Sequence, residues 1–193
     1  SFYGHAASGL VHVRPVIDLH KADDIKTYRK IVEQCSDLTR QFRGSFAGEH
    51  GVGIGHAELL EEHLGPELMG VMREIKALFD PRGLMNPGKI VPDGRFKIDT
   101  NLRYGPGYDI KLPFSPVLAF AAKDKSFVGN LEQCNGDGEC LKKTTAMCPT
   151  YQATGEEALS PRGRANAISA ALDGRLNDGD DPLASDALFQ TLQ

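Results

Sequence analysis

Two histidines, His5 and His12, open the chain, and a Glu49-His50 pair follows inside a glycine-rich run from Gly44 to Gly55. Imidazole nitrogens suit zinc-like cations, and a carboxylate completes a three-ligand site that keeps positions open for a substrate. A cation held by His5, His12 and Glu49 can take the carboxylate and hydroxyl of a 2-hydroxy acid and lower the hydroxyl pKa by Lewis-acid action. His50, directly beside the glutamate, is placed to accept the hydroxyl proton. By residue type and spacing alone, a pair of histidines flanking a strand is more often structural, so both readings stand at this point. The other histidines, His20, His56 and His63, read as solvated surface residues.

A second set of residues lies in the run FDPRGLMNPGKI, from Phe79 to Ile90. Proline and glycine restrict or permit backbone angles so that a turn holds Asn86 and Lys89 rigidly. A helix-ending loop with no further role is the simpler alternative. A third set is CNGDGECLKKTTAMCPTY, with Cys134, Cys140 and Cys148. Soft thiolates suit iron or zinc, and Cys-Pro closes many iron–sulfur motifs. The spacing departs from the usual ferredoxin run: Asp137 stands at the second cysteine position, and seven residues rather than three precede Cys148. A cubane cluster needs a fourth ligand, either the Asp137 oxygen or a cysteine further along a longer chain. Three reduced thiols in a glycine-rich loop is the plain alternative.

These residues need elements to position them. Leu10–Leu19 alternates apolar and polar residues and reads as a strand, with Pro15 marking an edge or bulge. Asp23 and Asp24 stand where helix-capping acids belong, and Ile25, Tyr28, Ile31, Val32 and Cys35 follow at helical spacing, with Cys35 as a core residue. The five glycines between Gly44 and Gly55 predict a loop. A helix is expected over about 57–79, interrupted near Gly65-Pro66, burying Leu68, Val71, Met72, Ile75, Leu78 and Phe79. Asp80-Pro81 and Gly83 stop it. Residues 93–124 read as an extended connector. Ser160 and Pro161 cap a helix to about Leu172, with Gly163 allowing close packing and Arg162 and Arg164 pairing with acids or carbonyls. Asn177–Pro182 reads as an acidic turn.

Composition narrows the function classes. With 22 basic and 26 acidic side chains in 193 residues the net charge is −4, and no basic cluster suggests nucleic acid. No apolar run approaches the roughly 20 residues that cross a bilayer. Four cysteines, three of them clustered, favour ligation over a disulfide scaffold and predict a cytoplasmic protein, at most peripheral to a membrane. The chain begins without Met, and a motif is under way by Gly4, which predicts a piece of a longer polypeptide.

GHAASGLVH resembles the Gly-His-x-Gly-Asp-Gly-Asn-x-His motif of flavin-linked D-2-hydroxy-acid dehydrogenases of the vanillyl-alcohol-oxidase superfamily, which act on D-lactate, glycolate or D-2-hydroxyglutarate. GEHGVG, at Gly48–Gly53, is similar to the family's second signature. The run from Phe79 to Lys89 is similar to the close of its cap domain, and the stretches around Cys148 and Ser160–Ala165 resemble an iron–sulfur region fused behind such enzymes. The resemblance implies that His5, His12 and Glu49 hold a divalent metal, zinc foremost, that His50 assists catalysis, and that Asn86 and Lys89 lie beside FAD. It implies a 4Fe-4S cluster on Cys134, Cys140 and Cys148 that passes electrons to a downstream acceptor. Ser8 and Leu10 replace the family's Asp and Asn, and Arg14 stands where a substrate-contacting Asn is usual. Arg14 suits the second carboxylate of a diacid such as D-2-hydroxyglutarate; an exposed strand residue is the equal alternative. The expected fold is α+β: a partial ferredoxin-like cap in residues 1–92, the connector 93–124, and a mainly helical iron–sulfur lead-in from 125 to 193. Most flavin contacts in this superfamily come from an N-terminal half, and no glycine-rich pyrophosphate-binding stretch precedes Gly4, so this chain alone is expected to bind FAD poorly. The other function class, a non-catalytic metal-binding or interaction module, stays open on the same ground.

Overall fold

The computed structural model describes every residue except 119, 121, 143–147 and 177–180. Most of the acidic turn expected at Asn177–Pro182 thus lies outside the described residues. Helices and one small two-stranded sheet make an α+β chain that divides into two compact units, residues 1–108 and 109–193.

In the first unit, β1 (Phe2–His5) pairs antiparallel with β2 (Leu10–Val13). The strand expected to reach Leu19 stops at Val13 instead. Pro15 has no N–H to give a ladder, which ends the pairing. Helix α1 (Ala22–Gln41) follows. Its N-cap is Lys21; Asp23 and Asp24 fall in the first turn, where the helix dipole favours acids. Asp24 also accepts the Asp18 N–H at 2.7 Å, tying the incoming chain to the helix. The predicted stripe Ile25, Tyr28, Ile31, Val32, Cys35 is half-buried, but the fully buried member of the helix is Ser36, not Cys35.

A short 3-10 turn (Ala57–Leu59) leads into α2 (Leu60–Phe79). Gly65 breaks the helical path with φ 80° and ψ 160°. Glycine tolerates that angle, and the residue before a proline is pushed out of the α region. The stripe expected to be buried on α2 is in fact exposed except at Met72, which is half-buried: Leu68, Val71 and Ile75 are about half accessible, and Leu78 and Phe79 about three-quarters. Met69 is the fully buried side chain. The apolar pattern is real, but among the described residues no second layer covers that face. No helix there is long and apolar enough to cross a membrane.

Arg29 of α1 holds this unit together across long sequence distances. Its Nε and Nη2 donate to Asp99 at 2.6 and 2.7 Å, Nη2 also reaches Glu58 at 3.1 Å, and Nη1 reaches Glu33 at 3.1 Å. Glu58 in turn accepts the Ile98 N–H at 2.9 Å. Helix α1, the 3-10 turn and the segment around Asp99 therefore share one charge centre. The Asp99 carboxyl is held below its ordinary range by the Arg29 hydrogen bonds.

The second unit is built around α5 (Pro161–Leu172), which packs with α3 (Phe127–Leu131) and α6 (Asp186–Leu192); α4 (Pro149–Thr154) precedes it. Ser160 is fully buried and caps α5 by accepting the Gly163 N–H at 3.0 Å, with Pro161 at the first helical position. A Cβ on Gly163 would lie 2.1 Å from the Glu157 carbonyl oxygen, so close packing requires glycine there. Arg162 pairs with Glu157, and Arg164 donates to the Thr191 carbonyl at 3.3 Å.

Candidate metal centre

The hairpin register explains how two histidines meet. Tyr3 lies opposite His12 and His5 opposite Leu10, and side chains alternate along a strand, so His5, Tyr3 and His12 share one face. The His5 and His12 rings meet edge to face with centroids 5.3 Å apart. His12 also stacks on Tyr3 at 4.3 Å with ring planes 13° apart, which fixes its orientation. Gly4 permits the tight pairing, since a Cβ there would lie 2.4 Å from the Leu10 carbonyl oxygen. The turn between the strands is closed by Ser8, whose N–H and hydroxyl both donate to the His5 carbonyl, at 3.2 and 3.3 Å.

Glu49 arrives from the glycine-rich loop, which is anchored at several points. The Leu10 side chain occupies the place a Gly48 Cβ would take, 2.1 Å from it. Phe46 stacks on His63 at 4.1 Å and contacts His56 at 4.8 Å. His63 is itself fixed by a 2.8 Å hydrogen bond between its Nε2 and the hydroxyl of buried Ser36. At the far side of the loop, the Ile90 N–H donates to the Gly53 carbonyl at 3.2 Å, which joins it to the Asn86–Lys89 turn.

The result is a three-residue set. Glu49 Oε2 lies 3.5 Å from His5 Nε2, and Glu49 Oε1 lies 3.3 Å from His12 Nε2. Two donors each about 2.1 Å from a tetrahedral zinc ion stand about 3.4 Å apart, so this spacing fits a shared cation. His12 Nε2 is buried and has no hydrogen-bond partner among the described residues. A buried ring nitrogen is costly to leave unpaired, and a metal would satisfy it. One ligand atom from each of the three lies within 4.8 Å of the others, and no other described His, Cys, Asp or Glu residues form such a set. His50 Nε2 sits 3.1 Å from Glu49 Oε1, with its ring largely exposed. Arg14 donates from Nη2 to the Tyr3 hydroxyl at 3.0 Å.

Other sequence candidates lie elsewhere. Asn86 has φ 46°, and Lys89 closes its turn by donating to the Asn86 carbonyl at 3.2 Å and the Asn86 side chain at 3.4 Å; both side chains are exposed. Gly88, in the same turn, is buried with φ 73°. In the second unit Cys148 is buried and caps α4 by accepting the Tyr151 N–H at 3.5 Å; Cys134 and Cys140 are half-buried. Asp137 accepts the Glu139 N–H and an Asn135 amide hydrogen, and these hold its carboxyl below the usual range. Arg162 secures this loop by donating to the Gly136 carbonyl at 3.2 Å.

Three histidines expected at the solvated surface are half-buried instead. His20 bonds Asp18 at 2.9 Å and stacks on Tyr104 at 4.9 Å, while His56 and His63 pack on Phe46. Burial first, and Arg40 next, keep His63 below the ordinary imidazole range. Tyr3, Phe46 and Arg29 were not singled out by sequence. Tyr3 carried a usable signal, because it stands two residues before His5 on the same strand face.

Residues 1–90 match the family "FAD linked oxidases, C-terminal domain". Over 188 residues, 94% of this chain, it is 33% identical to a D-2-hydroxyglutarate dehydrogenase of Escherichia coli K12, of which it covers 17%. A D-2-hydroxyglutarate dehydrogenase of Haemophilus influenzae is 32% identical over 170 residues, 84% of this chain and 16% of the relative. A D-lactate dehydrogenase of Archaeoglobus fulgidus is 40% identical over 89 residues, 46% of this chain and 19% of the relative. The chain thus spans less than a fifth of the length of these curated relatives. No solved structure gives a significant match. Residues 1–90, with the hairpin, the Glu49 loop and the Asn86 turn, therefore belong to the C-terminal domain family of FAD-linked oxidases, and the chain is similar over most of its own length to D-2-hydroxyglutarate dehydrogenases.

Proposed function

We propose that this chain is the cation-bearing part of an FAD-dependent dehydrogenase that oxidises a D-2-hydroxy acid, D-2-hydroxyglutarate foremost, to its 2-oxo acid. The observation that carries the reading is the convergence of His5, His12 and Glu49 at ligand spacing, with the buried His12 Nε2 making no hydrogen bond among the described residues and facing Glu49 Oε1 at 3.3 Å. Bound FAD supplies the acceptor for the hydride from C2, and a bound divalent cation, zinc, supplies the Lewis acid that acidifies the hydroxyl.

The residues of the chain do the remaining work. His5 and His12 present neutral nitrogens and Glu49 a carboxylate to the cation. His50 takes the hydroxyl proton, and its exposure lets it pass that proton to water. Arg14 receives a second substrate carboxylate. Asn86 and Lys89 contact the flavin from an exposed, rigid turn. The diacid is preferred because the relatives named for D-2-hydroxyglutarate align over most of the chain, whereas the D-lactate relative aligns over 46% of it.

In the second unit, Cys134, Cys140 and Cys148 would hold three corners of a 4Fe-4S cluster, with Asp137 or a cysteine of a longer chain as the fourth ligand, and the cluster would supply one-electron transfer to a downstream acceptor. The Cys148 sulfur accepts the Tyr151 N–H at 3.5 Å, a contact of the kind that supports a sulfur ligand. Residues 1–92 then form a partial ferredoxin-like cap, 93–124 a connector and 125–193 the start of the iron–sulfur region. Four cysteines, three of them proposed cluster ligands, are too few for a disulfide scaffold and fit a reducing, cytoplasmic setting.

The test is metal analysis, flavin spectroscopy and turnover on the full flavin-binding polypeptide. His5→Ala and His12→Ala are each expected to lose bound zinc and at least about 100-fold in turnover of D-2-hydroxyglutarate. Undiminished turnover in both would end the metal reading. His50→Ala should keep zinc and lose rate; normal turnover would remove His50 from the chemistry.

A further inference from the structure

We propose that Tyr3 is the residue that aims Arg14, and so makes the site select 2-hydroxy acids bearing a second carboxylate. The inference rests on the metal reading above and adds the side chain that sets its specificity.

The hairpin arranges four side chains in succession. His5 meets His12 edge-on at 5.3 Å, and His12 stacks face to face on Tyr3 at 4.3 Å. The Arg14 guanidinium carbon lies over the same Tyr3 ring, 4.8 Å from its centroid, while Nη2 donates to the Tyr3 hydroxyl at 3.0 Å. The register makes this possible, since Tyr3 pairs with His12, and Arg14, two residues on, points to the same side. One phenol therefore touches both a proposed metal ligand and a cation.

Arg14 differs from the six arginines of the fold that are tied up in ion pairs, while Arg164, like Arg14, is held by a non-carboxylate partner. Arg29, Arg40, Arg73, Arg95, Arg162 and Arg175 each pair with a carboxylate. Arg14 has no carboxylate within ion-pair distance among the described residues; its partners are Tyr3 and the backbone. A guanidinium fixed by a ring face and a hydroxyl, with N–H donors still unused, is pre-organised for an incoming carboxylate and meets it as a planar fork. Its distance from the His12 ring is no more than the two ring contacts laid end to end, a gap that a short dicarboxylate bridges. A monoacid such as D-lactate offers nothing at that end.

The test uses the full flavin-loaded polypeptide as wild type, Tyr3→Phe and Arg14→Met. Zinc content is measured for each, with calorimetric affinities for the product acids 2-oxoglutarate and pyruvate. Wild type should bind the diacid at least 10-fold more tightly. Arg14→Met should erase that preference. Tyr3→Phe keeps the ring stack and removes the hydroxyl; it should retain zinc and lower the diacid-to-monoacid ratio about 3- to 10-fold, with the loss appearing in KM for D-2-hydroxyglutarate. A wild-type ratio in Tyr3→Phe overturns the role of Tyr3, and a preserved preference in Arg14→Met overturns the clamp. Loss of zinc in Tyr3→Phe also overturns it, since the phenol would then act through His12. Wild-type protein without zinc fails the metal reading itself, a result distinct from the others, and the clamp falls with it.

Discussion

Replacing Arg29 by methionine removes a guanidinium that joins three segments far apart in sequence, while keeping much of the apolar stem. The substitution deletes a two-pronged contact with Asp99 at 2.6 and 2.7 Å and a contact with Glu58 at 3.1 Å, leaving two carboxylates close together without their countercharge. Removing one partner of a fully buried pair costs about 3–5 kcal/mol, and an exposed pair contributes under about 1 kcal/mol. The side chains of Arg29, Asp99 and Glu58 are 27%, 27% and 19% accessible, so solvent screens the site in part. A loss of about 2 kcal/mol is expected. With a urea slope of about 2 kcal/mol per molar, the unfolding midpoint of the first unit falls by about 1 M. Asp99→Asn added to Arg29→Met should recover part of the loss, because it removes one stranded charge. The sign with pH follows from Asp99. Its folded pKa is depressed chiefly by Arg29, so the wild-type contribution is complete above about pH 3.8 and fades as pH falls through the lowered value. Arg29→Met should lose much of that acid dependence. An unchanged urea midpoint at neutral pH would refute the reasoning.

Two further outcomes follow from single positions. Gly88 combines φ 73° with a position where a Cβ would lie 2.7 Å from Asp93 Oδ1 and 2.9 Å from the Phe96 ring, whereas Gly83 has φ 63° and open space. Gly88→Ala should therefore cost about 2–3 kcal/mol and Gly83→Ala only about 1 kcal/mol in urea unfolding, and equal losses would count against the packing argument. His63 is held below the usual imidazole range, so the unfolded chain takes its proton first; its contribution is intact above about pH 6.5 and declines as pH drops below that value. His63→Gln, which keeps a partner for Ser36, should flatten the stability profile between about pH 7 and pH 5, and an identical slope in both proteins would contradict the assignment.

Local signals were legible where one residue type has one strong physical consequence. Pro161 with Ser160 marked the start of α5, Gly65-Pro66 marked the break in α2, and the glycines from Gly44 to Gly55 marked a loop. The helical stripe of α1 was readable for the same reason, since a 3.6-residue period is set by the backbone alone. Burial was not readable at that level. Periodicity on α2 says which side chains share a face, but whether Leu78 and Phe79 are covered depends on what packs there. His56 and His63 look like surface residues among glutamates until Phe46, from a different loop, stacks on them.

The candidate site divides the same way. Residue types nominated His5, His12, Glu49 and His50 as donors, and the motif likeness raised them above chance. Sequence alone determined the chemistry on offer: imidazole, carboxylate and guanidinium, with the turns and helix ends near them. Only the tertiary structure decided which of these groups meet, because a strand register and a loop anchored through Leu10, Phe46 and Ile90 bring Glu49 to the hairpin across 37 residues of chain from His12. That encounter is set by packing between segments, and packing is a property of surfaces that no single stretch of sequence contains.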